Sequence, residues 1–219
     1  MDIYSKLGGS TTFQNFLNKF DNNMSILDLK ISVDNEFQKN QDASHWKSQA
    51  ITLIPINNSI EIIFNNDLNL AGRITNFPQL SIATNLIHEV IHAEINRELA
   101  TASTNNNINP QQMTDSEWKP YLKNIKDDFA EMFKYYSKYV LNTNKPSDFQ
   151  HQYMADKYRG VIIEALKQYD NNSHSKDYYD ALAWNGLKNT IAWNKLTPNQ
   201  KTKILETIQT IYKNEKYCN

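Results

Sequence analysis

The chain has 219 residues, 40% hydrophobic and 11% aromatic, which supplies a globular core and excludes a disordered chain. With 23 basic and 24 acidic residues the net charge is −1, and no basic cluster marks a nucleic-acid binder. No apolar run has the length of a bilayer span, and "MDIYSKLGGSTTFQNF" lacks the regions of a secretory signal; this fits a cytoplasmic protein or a domain delivered within a larger secreted effector.

In chain order, Phe13, Phe16, Leu17 and Phe20 recur at helical intervals and predict a helix within residues 10–24, capped by Ser10 or Thr11. Alternating Leu27, Leu29, Ile31 and Val33 predict a strand, followed by "AITLIPI" at 50–56 and "SIEIIFNND" at 59–67. Pro55 and the asparagine pairs at 57–58 and 65–66 read as turns. From Phe77 the period becomes helical, with a long helix from near Pro78 to Leu99. A second helix is expected over Asp115–Val140, its apolar stripe formed by Trp118, Leu122, Ile125, Phe129, Phe133 and Tyr136. A third runs from Ser147 to Tyr169 and a short one from Asp177 to Leu187. The last opens with Thr197 as cap and Pro198 in the first helical position. The polar segment 101–114 reads as an excursion rather than a linker, so residues 1–219 form one domain. Its fold class is α+β, with helix, small mixed sheet and a long helix in 1–100 and a mainly helical part in 101–219.

Inside the long helix lies "HEVIH", residues 88–92. A helix turns about 100° per residue, so His88 and His92 stand one turn apart on one face, where two imidazoles can bind one metal ion. Glu89 is offset by one residue; it flanks such an ion without ligating it and can take a proton from bound water. The bland alternative is a helix whose polar stripe faces solvent. Against it, Leu86, Ile87, Val90, Ile91 and Ile95 surround the motif, and burying unpaired imidazoles and a carboxylate is costly.

This pattern resembles the zincin metallopeptidases, in which a strand precedes an H-E-x-x-H helix and a later helical part brings the third ligand. The resemblance implies Zn2+ as cofactor, His88 and His92 as ligands, Glu89 as general base, and an edge strand, here "IEIIFNN", that binds substrate as an added strand. More loosely, "LIHEVIHAEI" followed much later by "HQYMADKY" resembles zincin-like domains of bacterial polymorphic toxins. That likeness implies a peptide or protein substrate, and a parent polypeptide and an immunity or inhibitor protein as partners; the charge balance and the lack of a long apolar run argue against nucleic acid and membrane.

The one cysteine, Cys218, is next to last, so any metal site must use histidines and carboxylates. The extended form of the motif needs a glycine at position 95 and a histidine or aspartate at 98. Ile95 and Glu98 stand there instead. His151 is the preferred third ligand, because Met154, Tyr158 and Ile162 follow it at +3, +7 and +11 on an apolar stripe. Glu131 and Asp156 are the carboxylate alternatives, and His45 and His174 lie in polar, loop-like sequence. Tyr158 is the first candidate for stabilising an oxyanion, with Tyr153 and His174 behind it. The aromatic stretch 177–193, with Trp184 and Trp193, reads as packing.

The expected function is therefore a zinc metallopeptidase, in the looser resemblance a toxin domain. The alternatives are a non-peptide amide hydrolase with the same site and a helical binding module with a degenerate motif.

Overall fold

The apolar run Ile62-Ile63-Phe64 along one strand, and apolar residues on every side of one long helix, give those two elements the centre of the molecule. The computed structural model describes residues 3–21, 25–143 and 146–215; Cys218 and residues 22–24 of the first predicted helix lie outside them. The first half contains helices α1 (Ile3–Leu7), α2 (Thr11–Asp21), α3 (Phe37–Asn40) and α4 (Gln79–Ala102), with strands β1 (Asp28–Asp34), β2 (Ala50–Thr52) and β3 (Ser59–Asn65). The second half is helical: α5 (Asp115–Asp128), α6 (Ala130–Tyr136), α7 (Pro146–Lys157), α8 (Arg159–Tyr169), α9 (Lys176–Leu182), α10 (Ile191–Asn194) and α11 (Pro198–Asn214). The α+β class and the small mixed sheet agree with the sequence reading.

The three strands lie in the order β1-β3-β2. β1 runs parallel to β3 with Asp28 opposite Ser59, and β2 runs antiparallel to it with Ala50 opposite Phe64. β3 is thus central, which corrects the expectation that "IEIIFNN" forms an edge. The reason is visible in its side chains: Ile60, Ile62 and Phe64 join the main core while Ile63 joins a second cluster with Phe37, Ile51 and Leu70. A strand apolar on both faces needs cover on both. The edge beside α4 is the short β2 instead. Asn57 and Asn58 make the turn into β3 in the left-handed region, with φ of 50° and 60°, which asparagine tolerates better than most residues.

Helix α4 spans about 36 Å at 1.5 Å per residue and is buried at almost every position from Leu80 to Asn96. It packs against α1, α2, α5, α7 and α8 as well as β2 and β3. On the side away from the motif it carries Glu94, fully buried and held by Lys19 at 2.6 Å and by the Arg97 guanidinium at 2.7 and 3.0 Å. Those two cations compensate the carboxylate that burial would otherwise penalise.

The helix ends follow local chemistry. Ser10 Oγ accepts from the Phe13 amide at 3.2 Å and caps α2, while donating to Gln168 of α8 at 2.8 Å. Thr197 and Gln200 cap α11 reciprocally. Two predicted helices are divided. The second breaks at Phe129 (φ −131°, ψ 51°) into α5 and α6, with one turn of π-helix from Ser137 to Leu141 after it. Its deepest residues are Tyr121, Ile125, Met132, Tyr136 and Tyr139; Ile125 and Tyr136 are those of the expected stripe, while Tyr121 and Met132 take the places expected for Leu122 and Phe133. The third breaks at Tyr158 into α7 and α8. The short helix ends at Leu182 rather than Leu187, and α1, α3 and α10 had no periodic signal. No helix of the described residues is long and apolar enough to cross a membrane.

Burial along α4 sets a stability prediction. Ile95→Ala removes a side chain with no exposure and is expected to cost about 2–5 kcal/mol, whereas Ile56→Ala, at a residue 61% exposed, stays within about 0.5 kcal/mol. Urea unfolding of both variants measures the difference.

Candidate metal centre

His88 and His92, one turn apart on α4, face His151 of α7. His92 Nε2 lies 3.0 Å from His88 Nε2 and 3.2 Å from His151 Nε2, and the three rings offer nitrogens all within 4.8 Å of one another. Ligand nitrogens of a tetrahedral zinc, each at 2.0–2.1 Å from the ion, lie about 3.3 Å apart. The spacing therefore suits a small divalent cation, and an all-imidazole donor set suits zinc among them. Without a cation, the same separations are those of hydrogen bonds in which His88 and His151 each turn an Nε2–H towards the His92 Nε2 lone pair.

The polar surroundings orient the rings. Gln150, the residue before His151, places Oε1 2.6 Å from His92 Nδ1, and its amide donates to Asn96 Oδ1 at 2.7 Å. Asn96 is one turn beyond His92 on α4. With the amide so placed, His92 carries its proton on Nδ1 and turns the Nε2 lone pair towards the other two rings, the tautomer a metal ligand needs. Burial lowers the pKa of His92 to about 3, helped by His151, and holds that of His88 well below its ordinary value, helped by His92 and His151. Both rings are neutral near pH 7, so no proton competes for their nitrogens.

His88 is held differently. Its Nδ1 is buried with no hydrogen-bond partner among the described residues, and Gly186 covers the ring. A Cβ at position 186 would stand 2.7 Å from His88 Cε1, and Gly186 has φ of +78°. Both facts require glycine there.

Glu89 is also buried, and the Thr52 hydroxyl of β2 donates to its Oε2 at 2.7 Å. Burial raises its pKa to about 7, opposed by the bond from Thr52. Glu89, Thr52 and the three histidines line one cavity of about 750 Å3.

The other sequence candidates fall elsewhere. Glu131 is exposed and paired with Lys134 and with Lys157, the latter at 2.8 Å; Asp156 is exposed and accepts from Tyr135 at 2.6 Å. The structure brings neither to the histidines. Tyr158 does not line the cavity; it packs on Phe16 and Tyr153, with ring centroids 6.0 and 5.4 Å away. Seven residues past His151, it sits about 10 Å farther along the helix axis, where Glu98 is among the groups that raise its pKa after burial itself. His174 is clasped by Asp170 at 2.5 Å and Glu215 at 3.1 Å. His45 does line the cavity, away from the converging nitrogens. Trp184 and Trp193, both buried, pack edge to face at 5.3 Å as expected, and Gly186 lies against the His88 ring.

Sequence reasoning missed Thr52, Gln150, Asn96 and Gly186. Asn96 extends the i, i+4 stripe of the two histidines, and Gln150 adjoins the favoured ligand, so both carried a signal. A lone glycine in a chain with five was a fainter one, and Thr52 carried none.

No protein-family model, curated protein or solved structure matches the chain.

Two substitutions test this arrangement. Gln150→Leu, which frees the His92 tautomer, should weaken zinc binding about 10–100-fold. Gly186→Ala, which drives a methyl into the His88 ring, should weaken it by about tenfold or more. A competitive chelator titration, with thermal unfolding alongside to confirm folding, measures both.

Proposed function

We propose that the protein is a zinc-dependent peptidase of the zincin type. The observation that carries this reading is the convergence of His88, His92 and His151 through their Nε2 atoms in the same cavity as the Glu89 carboxylate. Zinc held by these three rings would lower the pKa of a water molecule and polarise a substrate carbonyl, the chemistry that amide hydrolysis needs.

The chain's own groups then have distinct tasks. Glu89 accepts the proton of the attacking water and returns it to the leaving amine. Thr52 fixes Oε2 of that carboxylate and so directs Oε1 to the proton. Gln150 and Asn96 keep the His92 ring turned to the site.

β2 suits the approach of a peptide. Gln49 O and Leu53 N bond to β3, so by alternation Ala50 and Thr52 turn their backbone groups to the open edge. An extended peptide added along this edge passes the residue that touches Glu89. The edge-strand role implied by the resemblance thus moves from β3 to β2. A toxin role belongs to the same reading, with an immunity protein as the partner that blocks the cleft.

Glu89→Gln is expected to retain about one zinc per chain, read by elemental mass spectrometry, while peptide hydrolysis falls by about 10²–10⁴-fold. Wild-type protein that takes up no zinc on reconstitution overturns the reading. Expression of the wild type in bacteria should slow growth, and expression of Glu89→Gln should not.

A further inference from the structure

The cavity runs well past the histidines. Along α4 the lining sequence is His88, His92, Asn96 and Leu99, so the wall turns from polar to apolar within about 10 Å of His92. The cavity's lining also includes Trp118, Tyr136, Val140, Leu141 and Phe149 of the helical half, and Ile108, Asn109, Pro110 and Gln111 of segment 103–114, so that this part is mainly apolar with two amide side chains. That segment supports itself through successive asparagine turns, in which Asn105, Asn107 and Asn109 each accept the amide two residues on. Asn106 ties it across to Asn58, at the β2–β3 turn, at 2.8 Å. Among the described residues lining the cavity, Glu89 is the one carboxylate, and no lysine or arginine is present.

We infer that this apolar chamber is a side-chain pocket which selects a bulky aromatic or long aliphatic residue in the bound peptide, adjacent to the carbonyl held at the three histidines. The inference rests on the peptidase reading. Its support is continuity: the β2 edge, through Ala50, Ile51, Thr52 and Ile54, lines the same cavity as these mainly apolar residues. A main chain laid along that edge sends alternate side chains to one side, and one of them enters the chamber. A charged side chain there would lose its hydration and meet no counter-ion. An alanine would leave the chamber's apolar surface uncovered. The volume of about 750 Å3 accommodates a large side chain together with the flanking main chain.

The test uses blocked hexapeptides that differ at one residue, phenylalanine, leucine, alanine, aspartate or lysine. Binding to zinc-loaded Glu89→Gln is measured by calorimetry, and cleavage is measured with the wild type. The phenylalanine and leucine peptides should bind about tenfold or more tightly than the other three. Leu141 is 39% exposed at the chamber wall, so Leu141→Lys should fold normally. It should abolish the apolar preference and raise affinity for the aspartate peptide. Equal binding of all five peptides, or a preference unchanged in Leu141→Lys, overturns the inference. So does a fatty-acyl amide that binds as tightly as the phenylalanine peptide, because the chamber would then hold a lipid chain. Selective binding without cleavage in the wild type counts against the peptidase reading and leaves the selection standing; cleavage without selection counts against this inference alone.

Discussion

A helix enclosed on all sides needs its polar side chains met by the protein, and α4 carries two histidines and two glutamates in its most enclosed stretch; His88 is met through Nε2, while its Nδ1 has no hydrogen-bond partner among the described residues. Leaving any of them unmet would cost a sizeable part of the stability of a domain this size. The packing around α4 is organised by that demand. α7 comes in with Gln150 and His151, β2 comes in with Thr52, and the turn after α9 crosses the His88 ring at a residue without a side chain. On the opposite flank Lys19 and Arg97 meet Glu94. The site and the fold therefore share one cause: the elements that cover the helix are the ones that complete the chemistry.

How much of this was legible in the sequence depends on how local each signal is. The i, i+4 pair and its neighbour Glu89 need only helical periodicity, so they could be read directly. His151 could be reached by elimination among five histidines, aided by the apolar residues at +3 and +11 that prove fully buried. Tyr158 shared the same stripe but does not line the cavity, because the helix breaks at that residue and its ring packs on Phe16. Thr52 could not be found: its role depends on the register of a three-residue strand against β3 and on the seating of that strand over α4, both tertiary facts. The edge assignment of "IEIIFNN" came from analogy; its own pattern of consecutive apolar residues pointed to a central strand.

Glu94 and Glu98 illustrate how the helix separates two kinds of acid. Glu98 is pushed up to about 7 by burial and by its neighbour Glu94, while Lys19 and Arg97 pull in the other direction. This cluster lies on the face turned to α2 and Tyr158, across the helix from the cavity. Its charges balance locally, so the apolar chamber and the histidines are left with Glu89 as the sole carboxylate at the cleft.

His92 and His151 stand 59 positions apart, and the chain between them includes the whole of segment 103–114 and helices α5 and α6. An ion shared by these two rings would act as a reversible cross-link closing that loop. By the chain-entropy relation for covalent bridges, closing 59 residues restricts the unfolded chain by about 4 kcal/mol. Under the proposed function the two halves of the domain are then stitched by the same atom that does the chemistry. Withdrawing it would lift that restriction on the unfolded chain while Gln150 still bonds His92 and Asn96, so that a metal-scavenging environment would lower the stability of the domain as well as empty the site.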